Sequence, residues 1–366
     1  MKITISTRIE GSRAVVDPDP LIAAAPALLG FVPERSIVVM CLDADMRVTA
    51  TMRHDVSFTR GGRTPVALRD LLGRLGALAA SYGAHAAAAV FVDDRSDPAD
   101  ERFRRLARDL DRAFASIGGV AAAFAARELR AGAPWRTVWR SATSEMFLGE
   151  EIAETGVLSD PQASPAALHR AFETGRSVLR SRSEIAALLT PIGHCEDPVC
   201  VEQTPPPVTG PIGPDDEQRL IVLYEAVLDC ARGPVRLSCE RLNAIAAALA
   251  SVHVRDAVIG LCLTVHREAA ERLWLELTRR LSGTPRAAAA TLLGYLHYME
   301  GSGAYASAAF DAAHAADPSY SLANLLDTAL VNGMRPSDLA GLADVSFDLA
   351  RRLGVTLPPA TGQIAG

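Results

Sequence analysis

His194-Cys195-Glu196-Asp197-Pro198-Val199-Cys200 places an imidazole and two thiols within one short segment. Neutral imidazole and thiolate are the ligands zinc prefers, so His194, Cys195 and Cys200 are candidate metal ligands. A closed site needs four ligands, and no second Cys/His pair follows at finger spacing. The His-x-Glu at 194–196 also opens a zinc-deaminase signature, but the Pro-Cys-x-x-Cys that must follow is missing. The simpler reading is a linker with incidental cysteines, and neither a metal nor a cofactor is expected. Cys41 and Cys262 lie in apolar runs and read as small core residues.

Two further groupings could do chemistry. Asp93-Asp94 ends an apolar run of strand length, and His54-Asp55 follows a second strand. Ligands of open α/β sheets bind beyond strand carboxyl ends, so His54, Asp55, Asp93 and Asp94 are the candidate catalytic residues. Turn and cap duty explains the same residues more simply. Arg127, Arg136 and Arg140 interleave with Trp135 and Trp139, a mixture suited to phosphate contact and base stacking. Strict strand alternation puts the two tryptophans on one face and Arg136 and Arg140 on the other. That is a buried face backed by solvent, so nucleic acid is not the expected partner.

Other chemistries are disfavoured by what is missing. Lys2 is the only lysine among 37 basic residues. A P-loop, a pyridoxal-phosphate Schiff base and a protein-kinase strand each need a lysine, and a terminal one serves poorly. Neither Gly-x-Ser-x-Gly nor His-Glu-x-x-His occurs. Gly301-Ser302-Gly303-Ala304-Tyr305-Ala306 fits a dinucleotide fingerprint, but a helix precedes it where a strand is required. The net charge of −6 gives no global attraction to nucleic acid or anionic membrane. The chain shows no apolar run of membrane-spanning length and no signal-peptide core, so the expected location is cytoplasmic.

These residues need a scaffold, and the apolar pattern supplies one. Residues 37–42 form a continuous apolar run, and 47–53 alternate, which together read as an antiparallel hairpin. Thr64-Pro65 opens a helix carrying Leu68, Leu71, Leu75, Leu78 and Tyr82. Residues 86–92 are a strand buried on both faces. Asp97-Pro98 caps a helix carrying Phe103, Leu106, Leu110, Phe114 and Ile117, and Gly118-Gly119 stops it. Residues 120–126 and 135–140 are two more strands. The predicted fold is α+β: a mixed-sheet α/β domain followed by an all-α helical-hairpin domain.

Ser164-Pro165 and Ser181-Arg182-Ser183-Glu184 open the first helices beyond the sheet. The predicted organisation is an α/β domain with trailing helices over 1–190, a Pro-rich linker over 191–214, a helical domain over 215–357 and a flexible tail over 358–366.

Within the helical part, residues 287–320 resemble a tetratricopeptide repeat. Leu293-Gly294, Ala306, Phe310, Ala313 and Pro318 fall at that motif's positions, while Ala290 replaces its tryptophan. The opening block Asp19 to Ser36, running into Ile37 to Leu42, resembles an actinobacterial family known as domain of unknown function 4192. The resemblance continues at Arg53-His54-Asp55, at Gly175 to Leu179 with Ser181-Arg182-Ser183, and at Val254-Arg255-Asp256-Ala257. Many members look Cys/Pro-rich after the strand matching Trp135 to Arg140, where this chain has Ser141-Ala142-Thr143-Ser144. The resemblance supplies no catalytic residue.

The sequence therefore points to an interaction or regulatory module with a protein partner, or self-association, through its helical domain. An enzyme or small-ligand binder working at the sheet rim is the alternative.

Overall fold

The computed structural model describes residues 6–10, 13–141, 152–197, 199–233 and 236–361. Ala142 to Ser144, Pro198, Pro234 and the end of the predicted tail (362–366) lie outside them. The chain divides into two compact units, 1–182 and 183–366.

The first unit opens with a small hairpin, β1 (Ser6–Glu10) and β2 (Arg13–Asp17). Helix α1 (Asp19–Leu29) follows and ends at Gly30, whose φ of 86° is the left-handed cap that glycine adopts without strain. The main elements are then β3 (Ser36–Leu42), β4 (Val48–Asp55), α2 (Val66–Ser81), β5 (Ala86–Val92), α3 (Glu101–Ala113), β6 (Val120–Ala126), β7 (Pro134–Arg140), β8 (Thr155–Val157) and α4 (Pro165–Thr174). The six-stranded sheet has the order β4-β3-β5-β6-β7-β8. It is mixed: β5 and β6 pair in parallel across the α3 crossover, and the other neighbours pair antiparallel.

The continuous apolar runs of β3, β5 and β6 are buried along their whole length. This is what a strand covered on both faces requires. Val38, Met40, Val90 and Phe124 face α1, Ala166 and Ala167 of α4. Ile37, Val39, Cys41 and Phe91 face Leu68 and Leu72 of α2 and Phe103, Leu106 and Leu110 of α3. The layers are helix, sheet, helix. Helices α2 and α3 touch where Gly76 meets the end of α3; a Cβ on Gly76 would lie 1.9 Å from the Ala113 carbonyl oxygen.

The two tryptophans do not share a face. Phe124 pairs with Thr137 and Ala123 with Trp139, so Val138 is an extra residue, a β-bulge. The bulge resets the alternation. Trp135 packs in the α1-side core, and Trp139 packs with Val138 on the α2/α3 side.

The second unit is helical: α5 (Arg182–Leu188, whose first residue closes the first unit), α6 (Asp216–Arg232), α7 (Cys239–Leu249), α8 (Val252–Ala257), α9 (Arg267–Arg280), α10 (Gly283–Met299), α11 (Gly303–Ala316), α12 (Ser321–Val331) and α13 (Gly341–Arg352). Helix α10 is buried on all sides from Ala287 to Met299. It lies close to α11, and a Cβ on Gly294 would stand 2.4 Å from the Phe310 ring. The Gly301 to Gly303 stretch is the turn between these helices. No helix among the described residues is long and apolar enough to cross a membrane.

The Pro-rich segment predicted as a linker lies along the second unit as a strap. Ile192 N–H donates to the Arg279 carbonyl and Val208 N–H to the Ala250 carbonyl; Ser282 N–H reaches back to Glu202. Its far end is held by Asp216, which accepts from Gly213 N–H at 2.9 Å.

Candidate metal centre

The sheet rim gathers three of its four predicted residues into arginine pairs. Antiparallel pairing brings the start of β3 and the ends of β4 and β5 to one edge. There Arg35 donates Nε and Nη2 to the two oxygens of Asp94, at 2.8 and 3.1 Å. This contact holds the Asp94 carboxyl below the usual carboxylate range and raises Arg35. Arg95 grips the buried Asp93 in the same two-pronged way, at 2.7 and 3.2 Å. Ser96 Oγ donates to Asp93 as well. Arg53 pairs with Asp55 at 2.5 Å and donates to the buried Ser36 hydroxyl. His54 is exposed, its Nδ1 2.9 Å from the Asp55 carbonyl oxygen.

Carboxylates neutralised by arginine are poor general bases. The rim is built as a network of ion pairs that ties loop ends to strands.

The arginine stretch is committed to similar duties. Arg127 donates to the Asp94 carbonyl at 2.6 Å, Arg130 pairs with Glu128, and Arg140 donates to the Ile152 carbonyl. Arg136 is exposed. Trp135 is buried and Trp139 Nε1 donates to the Val120 carbonyl, so neither ring lies open as a stacking platform.

The Cys/His cluster is different. The strap carries His194, Cys195 and Cys200 to the start of α7, where Cys239 is the first helical residue. One ligand atom from each of the four lies within 4.8 Å of the others. His194 Nδ1 is 3.0 Å from Cys200 Sγ, and Cys200 Sγ is 3.3 Å from Cys239 Sγ. In a tetrahedral zinc site with Zn–S near 2.3 Å, neighbouring sulfurs stand about 3.8 Å apart. The cluster thus has the size and donor set of a site that holds one ion with three cysteines and a histidine. An iron–sulfur cluster fits less well, because it spreads its four protein ligands over two or more irons.

Local structure explains how the four meet. Ser238 caps α7 by accepting from Arg241 N–H at 3.2 Å, which fixes Cys239 in the first turn. Asn243, one turn on, clamps the strap: its Nδ2 donates to the Val201 carbonyl at 3.0 Å, and its Oδ1 accepts from Gln203 N–H at 2.9 Å. The same Nδ2 lies 3.7 Å from Cys239 Sγ. Such outer contacts orient metal ligands.

An unpartnered imidazole nitrogen suits a cation here. His194 Nε2 is buried and has no hydrogen-bond partner among the described residues. The Cys200 thiol is pushed up to about 12, chiefly by its hydrogen bond with Cys195. Crowded thiols keep their protons until a cation displaces them.

The sequence offered His194, Cys195 and Cys200 as metal candidates, with an incidental linker as the simpler reading, and did not include Cys239. Cys239 stands 39 residues beyond Cys200 and meets it only because the strap folds back onto α7. The one local signal was Ser238, a helix cap that places Cys239 in a first turn.

A family model described as Domain of unknown function (DUF4192) matches residues 18–337. No curated protein matches the chain, and no solved structure matches it. The family match covers most of the chain, from the residue before α1 to the turn before α13, and takes in all four residues of the cluster. The chain belongs to the DUF4192 family.

Proposed function

We propose that this protein is a zinc-binding interaction module, in which one zinc ion held by His194, Cys195, Cys200 and Cys239 fastens the strap to α7 of the helical unit. The observation that carries the reading is the convergence of four soft or borderline donors from two distant segments within 4.8 Å. Four protein ligands close the coordination shell, which makes the ion structural and leaves no open position for substrate. The test is metal content and spectroscopy. Purified under reducing conditions, the chain should carry about one zinc. Cobalt replacement should give the intense thiolate-to-metal absorption of a tetrahedral site. Cys239→Ser should lower occupancy at least tenfold. A wild-type chain that retains no zinc after reconstitution and dialysis would remove the reading.

The interaction role rests on the helical unit itself. Its α10–α11 hairpin, with Gly294 against Phe310, has the close approach that lets helix pairs stack into binding surfaces. Leu325 and Val331 of α12 and the following Met334 remain exposed. Leu325→Asp with Val331→Asp should weaken partner capture or self-association while leaving zinc content at wild-type level. Unchanged association in pull-down and sedimentation would count against this surface.

A further inference from the structure

We propose that the cluster is also an oxidation site, at which peroxide joins Cys200 to Cys239 and expels the metal. The inference rests on the zinc reading and goes beyond it. Cys200 and Cys239 have facing sulfurs, 3.3 Å apart, close enough that a small shift brings them to bonding distance. They sit on different segments, so the bond would cross-link strap to helix and would not merely close a short loop on the strap.

Accessibility separates these thiols from the rest. Cys195, Cys200 and Cys239 are half-buried, whereas Cys41, Cys230 and Cys262 are buried. An oxidant from solvent therefore meets the cluster first.

The chemistry balances with hydrogen peroxide as the named oxidant. One thiolate attacks a peroxide oxygen, the O–O bond breaks, and a sulfenic acid and hydroxide form. The second thiolate attacks that sulfur, the S–S bond forms, and hydroxide leaves. Two thiolates lose two electrons, and peroxide takes them up with two protons to give two waters. Zinc is left with His194 and Cys195 alone, two ligands where a stable site needs four, and it dissociates. A dithiol reductant reverses the sulfur step, and zinc can then rebind.

The test uses the full-length zinc-loaded protein and graded hydrogen peroxide. Zinc release is followed with a chromogenic chelator, and disulfides are mapped by peptide mass spectrometry after alkylation. The expected result is one zinc released per Cys200–Cys239 disulfide, with Cys41, Cys230 and Cys262 still reduced. Dithiothreitol plus zinc should restore the starting metal content. Cys195→Ser keeps both reacting sulfurs and should still form the disulfide. Retained zinc with no disulfide overturns the oxidation proposal and leaves the zinc reading standing. A Cys195–Cys200 bond, or oxidation beyond the disulfide, overturns the pairing. A Cys200–Cys239 disulfide in a chain that holds no zinc before oxidation overturns the coupled release and, separately, the zinc reading.

Discussion

Asp93 is 1% exposed, yet both of its oxygens are used: Arg95 grips them from the side and Ser96 donates from the following turn. Arg95 carries the contact onward to the Val56 carbonyl, so one carboxylate ties the end of β5 to the loop after β4. Removing it takes an acceptor from the Ser96 hydroxyl and from Arg95, which is half exposed and keeps the Val56 carbonyl. Asp93→Ala should therefore lower unfolding free energy by about 1–3 kcal/mol, read from the denaturant midpoint. Asp94→Ala breaks a pair whose two side chains are more than half exposed, and its midpoint should stay close to wild type. Equal effects would show that burial does not rank these neighbouring acids. Asp216 allows a test by pH. Its side chain is fully buried, and burial alone would raise its pKa. Hydrogen bonds from Gly213 N–H and Arg219 outweigh that and hold it below the usual value. A carboxyl depressed by folding contributes stability above its unfolded pKa and loses it as pH falls through the folded one. Asp216→Asn should thus be less stable than wild type at pH 7, and the gap should close below about pH 4. A gap that stays constant down to pH 2 would show that the charge contributes nothing.

Elements were legible where a local pattern governs them and illegible where a distant contact does. The apolar runs of β3 and β5 announced buried strands, and both faces are covered; β6, expected only as a strand, is buried along its length as well. Helix α2 was predicted with Leu68, Leu71, Leu75 and Leu78 inward. Leu71, Leu75 and Leu78 do pack half-buried against the core, but the fully buried line is Leu68, Leu72, Gly76 and Ala79, because contact with α3 requires a small residue at the crossing. The α3 cap is Asp100, which accepts from Arg102 N–H, and Asp97 holds the turn before it. The β7 bulge could not be read from β7 alone, since a bulge is a property of the pairing with β6. Cys239 was missed for the same reason: nothing near it in sequence signals the strap. Close approach also gives a prediction for helix pairs. Gly294→Ala forces a methyl into the Phe310 ring and should cost roughly 1–3 kcal/mol. Phe310→Ala opens a cavity in a fully buried site and should cost about 3–5 kcal/mol. Together they should cost clearly less than their sum, because the added methyl then meets space. Additive midpoints would show that α10 and α11 do not meet there.

At the scale of the whole chain, the two units are stabilised by different means. The first buries a sheet between helices and places its ion pairs on the rim. The second buries α10 among its neighbours and, on the reading above, fastens the strap with a metal. Perturbations chosen in one unit should therefore report on that unit alone. Gly76→Ala drives a methyl to 1.9 Å from a backbone oxygen in the first unit, a clash that no side-chain rotation relieves. If the cluster holds a metal as proposed, removing it should loosen only the second, since all four clustered residues lie beyond residue 183. Calorimetry should then resolve two transitions. Chelation under reducing conditions should lower one by several degrees and leave the other in place, and Gly76→Ala should do the reverse. If both treatments move a single shared transition, the units unfold as one cooperative block, and stability gained at the metal would extend to the sheet as well.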